Sequence, residues 1–310
     1  MTGFLLQVGG PLQAWGEHSS FTDRDTLSHP TRSGLLGMMA AALGITRHDA
    51  TLSGGKAGAP ASFDELSRLR FTVRHDRPGS RLRDFHTVGG GLPANRTAPT
   101  AKGGRRPPGA GTIVTERHYV TDAVFTVAVT APGAPNGSRL LGTCAHALEA
   151  PRWPLHLGRR SCPPGAVLVV ATGLVDPVGE LVHEVPLARP RAAHGDGGAG
   201  PHDAGPAHRG DPAGVPVRFT ADAPLPPVVT PRAADVTVGL INDDPVSLRP
   251  RDRVYRVRHS YEVTRPLDGN LCAGYGSAYA DALLAYRQRL VVGTGRTTSL
   301  PRAERGRHGT

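Results

Sequence analysis

The residues best suited to chemistry stand in one run, His29-Pro30-Thr31-Arg32-Ser33-Gly34-Leu35-Leu36-Gly37, which continues into an alanine-rich stretch ending at Leu43-Gly44. A helix over residues 31–43 would open with a hydroxyl, a guanidinium and a second hydroxyl, and Gly44 would cap its end. Free backbone N–H groups and a partial positive charge at such an end favour an anion. Arg32 and Ser33 add donors there, while Gly34 and Gly37 remove side chains that would hold another backbone away. Phosphate is the ligand this chemistry suits, with simple helix capping the competing role for Ser33.

A second constellation is Gly158-Arg159-Arg160-Ser161, a glycine-led basic loop that can bring backbone amides and two guanidiniums to a phosphate. Cys162 beside it has no identifiable base partner, so it reads as structural. A third set lies on a Gly/Pro-rich basic segment. Between Arg74 and Arg117 nine Lys or Arg face only Asp76, Asp84 and Glu116. This segment, about 77–118, reads as a protruding arm or flexible hairpin rather than core, a disordered insertion being the alternative. It carries Arg83, His86, Arg96, Lys102, Arg105, Arg106, Arg117, His118 and Tyr119. Charge for a backbone plus rings for stacking is what single-stranded RNA requires. Tyr119 and His86 are the stacking candidates, a core position being the alternative for Tyr119; Phe85 is expected to pack.

Composition agrees with a polyanionic partner. The 310 residues carry a formal net charge of +10, and of 36 basic residues only Lys56 and Lys102 are lysine. Arginine forks onto phosphate and stacks on bases, although the Ala, Gly, Pro and Arg bias also fits a GC-rich genome. Three widely spaced cysteines, Cys144, Cys162 and Cys272, fit neither a disulfide framework nor a cysteine-rich zinc site, and a reducing cytoplasm is the default. No leader is expected before the first strand, and the longest apolar run is too short for a bilayer. Four histidines, His183, His194, His202 and His208, lack metal-ligand spacing. No Walker loop, dinucleotide fingerprint or magnesium carboxylate cluster is present, so no cofactor and no metal are expected.

The elements that must position these groups follow from pattern. Residues 4–8 read as a strand, 12–28 as a loop holding Trp15 and Asp23-Arg24-Asp25, and 62–69 as a short helix. Strands are expected at 70–75, 120–130 and 166–171, and a helix at 137–149. The order β-α-β-β-α-β is that of a ferredoxin-like α+β fold. Residues 189–216 read as a disordered Gly/Pro-rich loop. Residues 215–219 and 254–257 read as strands of a smaller region, and 277–290 as a helix before a basic tail.

Five blocks carry a resemblance. They are Gly10-Pro11-Leu12-Gln13-Ala14-Trp15-Gly16, Pro30-Thr31-Arg32-Ser33-Gly34-Leu35-Leu36-Gly37, Leu82-Arg83-Asp84-Phe85-His86-Thr87-Val88, residues 119–129, and Leu157-Gly158-Arg159-Arg160-Ser161-Cys162-Pro163. In this order they resemble the Cas-five subunits of type I-E CRISPR Cascade complexes, of the RAMP superfamily. The resemblance is good over 3–175, weak over 176–258 and absent beyond. It implies a ferredoxin-like domain (1–175) with a thumb inserted near 77–118 and a small β-rich C-terminal region (176–258); residues 259–310, outside the resemblance, are expected to be an extension of unassigned role. It also implies a non-catalytic antiviral role: capping the 5′ handle of the CRISPR RNA, contacting the adjacent backbone subunit and the large subunit, and meeting target DNA through the assembled complex. The RNA-binding residues it suggests are Gln13, Trp15, Arg24, Thr31, Arg32, Ser33, Arg83, His86, Arg105, Arg106, Arg117, His118, Tyr119, Gly158, Arg159, Arg160 and Ser161. Trp15 could alternatively pack beneath the strand–helix loop. The rival reading is a metal-independent endoribonuclease of repeat RNA, as in another CRISPR subtype, with His86, His118, Tyr119 and Lys102 as its parts.

Overall fold

The computed structural model describes residues 2–17, 20, 22–52, 54–100, 102–165, 168–190, 214–230, 235–249 and 252–294. Most of the expected loop at 189–216, with His194, His202 and His208, lies outside them, as does the tail after 294.

Strands β1 (Gly3–Gly9), β2 (Leu12–Gln13) and β3 (Asp23–Arg24) precede helix α1 (Arg32–Leu43) and the short α2 (Phe63–Leu66). Next come β4 (Arg70–Arg77), β5 (Ser80–Gly89), β6 (Thr112–Thr121), β7 (Val124–Thr130) and helix α3 (Gly137–Glu149). The chain continues through β8 (Val169–Leu174), α4 (Pro177–His183), β9 (Val215–Ala221), β10 (Thr237–Leu248), β11 (Arg253–Leu267) and α5 (Gly276–Thr294). Local chemistry sets the helix ends. Thr31 Oγ1 accepts from the Gly34 N–H at 3.2 Å, and Gly44 closes α1 in the left-handed region at φ 72°. Ser62 and Glu65 form a reciprocal capping box on α2.

The result is a mixed helix and sheet protein built on antiparallel pairing. Seven strands run in the order β10-β11-β9-β4-β7-β1-β8, each antiparallel to its neighbours. A smaller sheet centres on β6, which pairs antiparallel with β2 and β5 and parallel with β3. The long β5–β6 pairing is the arm expected at 77–118, here a hairpin. The large sheet is covered on both faces. Phe4, Leu6 and Val8 of β1 join the core under α1 and α3, while Leu5 joins the core that holds α4, β9 and α5. Double coverage explains why β1 and β7 are apolar at successive positions rather than alternating. Fully buried Arg74 donates to the carbonyls of Val185 and Pro186 at 2.9 and 2.8 Å and pairs with Asp76, tying the segment after α4 to β4.

Several expectations need correction. Residues 120–130 are not one strand. β6 ends at Thr121, Asp122 turns at φ 52°, and β7 begins at Val124, where the chain leaves the hairpin for the large sheet. The boundary set at 258 falls inside β11. The C-terminal residues are not a separate extension either: β9 adds directly to β4, and α5 buries Tyr279, Leu283 and Tyr286 in the second core. Among the described residues no helix is long and apolar enough to cross a membrane.

Candidate nucleic-acid interface

The start of α1 meets a loop at Ala14–Gly16, the β3 segment and the loop before β8 around a cavity of about 450 Å³. It gathers Trp15, Arg24, Thr31, Ser33, Gly158 and Arg159 from the expected set. A neighbouring cavity of about 860 Å³ shares the Ser33–Gly37 face of α1 and takes in Arg160. Together they form one groove along α1. Gly158 is required where it stands: at φ 88°, a Cβ would lie 1.7 Å from the Ala14 carbonyl oxygen.

The residues divide sharply in what they can offer. Arg32 is 3% exposed and is not available to a phosphate. Its Nε donates to Asp244 at 3.0 Å, one terminal nitrogen donates to the Leu69 carbonyl at 2.7 Å and pairs with Asp222, and the other donates to the Ser67 carbonyl. The helix start is occupied as well. The Arg32 N–H donates to Asp243 at 2.6 Å, the Gly34 N–H to Thr31 Oγ1 and the Leu35 N–H to the Thr31 carbonyl. The anion expected there is supplied by the protein itself, as the Asp243 carboxylate. Burial raises the Asp222 carboxyl above its ordinary range despite Arg32 beside it. At Asp244 hydrogen bonds from Arg256 and Arg32 outweigh burial and lower it.

Gln13 and Trp15 are corrected in the same way. Gln13 is fully buried, its Nε2 donating to the Ala123 carbonyl at 2.7 Å and its Oε1 accepting from Trp15 Nε1 at 2.9 Å. Trp15 is 1% exposed and packs beneath the loop, so it presents no ring face for a base. Tyr119 is buried too, with the Arg159 guanidinium 4.8 Å above its ring. Arg159 itself is a brace. It donates to the carbonyls of His118 at 2.8 Å and Arg24 at 2.7 Å, joining the hairpin base to β3. Ser161 is exposed beside the groove.

What remains open is a row of arginines. Arg24, Arg47, Arg160 and Arg253 are exposed and line the groove. Their side chains make no ion pair among the described residues. Arg47, Trp153, His156, Arg253 and Tyr255 were not anticipated from sequence. Only Arg253-Val254-Tyr255-Arg256-Val257-Arg258 gave a signal, an alternation of cations and apolar residues.

The hairpin residues stand apart from the groove. Arg83 lies 3.4 Å from Glu116, His86 Nδ1 lies 3.3 Å from Asp84, and His118 Nε2 lies 3.4 Å from Asp23. Arg117 donates to Thr115 at 3.3 Å. Arg105 and Arg106 sit at the far end, where Arg105 donates to the Thr97 carbonyl at 2.6 Å. Phe85, expected to pack, is 68% exposed. Arg83 pairs opposite His118 and His86 opposite Thr115, so the two histidines stand on opposite faces of the hairpin. Burial raises the Cys162 thiol and pushes Cys144 up to about 12, which leaves both unreactive.

An antiparallel α+β protein with an arginine-lined groove beside a long hairpin is the class these features define. The profile of the family CRISPR-associated protein (Cas_Cas5) matches residues 3–197, and the chain belongs to that family. It is 36% identical over 168 residues to the CRISPR system Cascade subunit CasD of Escherichia coli (strain K12), a match spanning 51% of this chain and 66% of that relative. Among solved structures it is similar to a chain of a CRISPR RNA-guided surveillance complex, at 42% identity and a TM-score of 0.70, covering 92% of this chain and 99% of that one.

Proposed function

We propose that this protein is a non-catalytic subunit of a type I-E Cascade complex, acting in the cytoplasm, that caps the 5′ handle of the CRISPR RNA. The observation that carries this reading is the likeness to the surveillance-complex chain, at 42% identity and covering 92% of the present chain. The large sheet supports the RAMP assignment. Strands β8-β1-β7-β4 follow the spatial order fourth, first, third, second of a β-α-β-β-α-β unit, with α1 and α3 as its helices. The β5–β6 hairpin sits between the second and third strands of that unit, where a thumb belongs, and reaches toward the adjacent backbone subunit.

RNA runs along the groove with its phosphates on Arg24, Arg47 and Arg160, while Arg159 and Gly158 shape the wall. The large subunit and, through the assembled complex, target DNA are the further partners. Guide pairing, not this chain, reads the target sequence. Binding without cleavage fits the geometry: a metal-independent ribonuclease needs a base and a cation at one phosphate, and His86 and His118 face opposite ways, each beside its own carboxylate.

The test is incubation of the purified protein with labelled repeat RNA in the absence of metal, followed on a gel. Intact RNA, bound more tightly when the 5′ handle is present, is the expected result. Arg160→Ala should lower the slope of log affinity against log salt by about one, as loss of a single phosphate contact does. Specific cutting that disappears with His86→Ala or His118→Ala would replace this reading with the ribonuclease.

A further inference from the structure

We infer that the larger of the two cavities is a nucleobase pocket, in which one unstacked base of a single-stranded RNA lies against Tyr255 and Trp153. The inference rests on the reading that this face carries RNA, and it names what the groove holds at one point along its length. The cavity, about 860 Å³, lies between the exposed face of α1, the segment after α3 and the end of the β10–β11 hairpin. Trp153 and Tyr255 come from two of these segments, and each is 38% exposed. An aromatic ring half open to a cavity offers its π face to a planar ligand.

The rim chooses among planar ligands. Arg47, Arg160 and Arg253 line the same cavity from three separate segments, and among the described residues no carboxylate lines it. Apolar walls with aromatic faces inside and guanidiniums outside suit a base whose own phosphates remain at the mouth. A duplex keeps its bases stacked, so the ligand is a single strand with one base turned out. The passage into the neighbouring cavity runs over Gly37, where a Cβ would meet nothing within 4 Å. That leaves room for the strand to continue toward Arg24.

Both Tyr255 and Arg253 belong to β11, in the part of the chain where the sequence resemblance is weak. The C-terminal hairpin therefore completes the binding groove rather than serving only to extend the sheet.

Trp153 reports on the pocket, because the other tryptophan, Trp15, is buried. The full-length protein is titrated with single-stranded repeat RNA while tryptophan emission is followed. Saturable quenching that disappears in Trp153→Phe is expected, with binding of that variant followed separately by mobility shift. Tyr255→Ala should weaken binding about tenfold, the scale of one stacked base, and Tyr255→Phe, which keeps the ring, should recover most of that loss. A scan of abasic RNAs against the unaltered protein should find one position whose loss abolishes the quench, so the test survives a poorly folded Tyr255→Ala. RNA that binds with unchanged emission at every position overturns the pocket and leaves the groove reading intact. Failure of the protein to bind RNA at all removes both. Quenching caused by an added protein subunit, and not by RNA, would assign the cavity to a protein side chain and overturn the inference.

Discussion

Arg32 and Arg160 carry the same charge and have opposite uses. Arg160 is exposed and makes no side-chain bond among the described residues, so removing it should leave stability within about 0.5 kcal/mol. Arg32 is buried with Asp222 and Asp244 as partners and two carbonyls as acceptors. Arg32→Ala would strand buried carboxylates and is expected to cost about 3–5 kcal/mol, read as a lowered urea midpoint. Arg32→Lys should recover little, since an ammonium cannot reproduce the fork. A loss below about 1 kcal/mol would mean the network is not structural. Sequence spacing located both arginines but not their roles. Asp243, which takes the Arg32 N–H, lies 211 positions away, and no local pattern announces a contact of that range. The same holds for Trp15, which donates to Gln13, itself held by the Ala123 carbonyl in the turn between β6 and β7.

At the scale of elements, α1 separates its two faces cleanly. Leu35, Leu36 and Met39 are buried, while Gly37 is exposed on the groove side. A Cβ at position 37 meets nothing within 4 Å, and leucine has a better helix propensity than glycine by somewhat under about 1 kcal/mol. Gly37→Leu should therefore melt at or above the wild-type temperature while binding repeat RNA at least tenfold more weakly, because the side chain fills the passage between the cavities. Unaltered RNA affinity would move the RNA path off α1. Elements bounded by local chemistry were legible beforehand: the Thr31 and Gly44 ends of α1, the Ser62 capping of α2 and the apolar face of α3 all depend on residues within a turn or two. The break at Asp122 was not, because β-favouring residues resume at once with Ala123, Val124 and Phe125 after Tyr119 and Val120, while the backbone changes sheets. Nor was the length of β10 and β11, whose exposed Val238, Leu240 and Val257 dilute the periodic signal.

At the scale of the whole molecule, the two halves of the chain meet over a pair of histidines. His75 on β4 is 2% exposed, and its ring lies 5.5 Å from that of His29 and edge-on to Phe125 at 5.2 Å. Arg218 on β9 donates to His75 Nδ1 at 3.3 Å, and His75 Nε2 meets Thr220 Oγ1 at 3.2 Å. A nitrogen that accepts from a guanidinium carries no proton, so the proton sits on Nε2 and the ring is neutral. Burial is the main cause holding His75 well below its ordinary range, with His29, Arg218 and Arg189 adding to it. Burial likewise lowers His29 to about 4; Arg218 and Arg258 push it down and Asp243 opposes them. In the unfolded chain both titrate near 6.5. Above that pH neither state binds the protons and stability is whole. As pH falls from about 6.5 toward 4, the unfolded chain takes protons that the folded one refuses, and stability drops by about 1.4 kcal/mol per unit for each fully refused proton. The expected outcome is a urea midpoint that falls steeply across that window, with a slope reduced in His75→Gln, which cannot titrate. Asp222 acts in the opposite sense, because its carboxyl is raised in the fold, so the difference between the two proteins at each pH isolates the histidine. Identical slopes would mean that His75 is protonated in the fold, and that Arg218 holds β9 to β4 by some other bond.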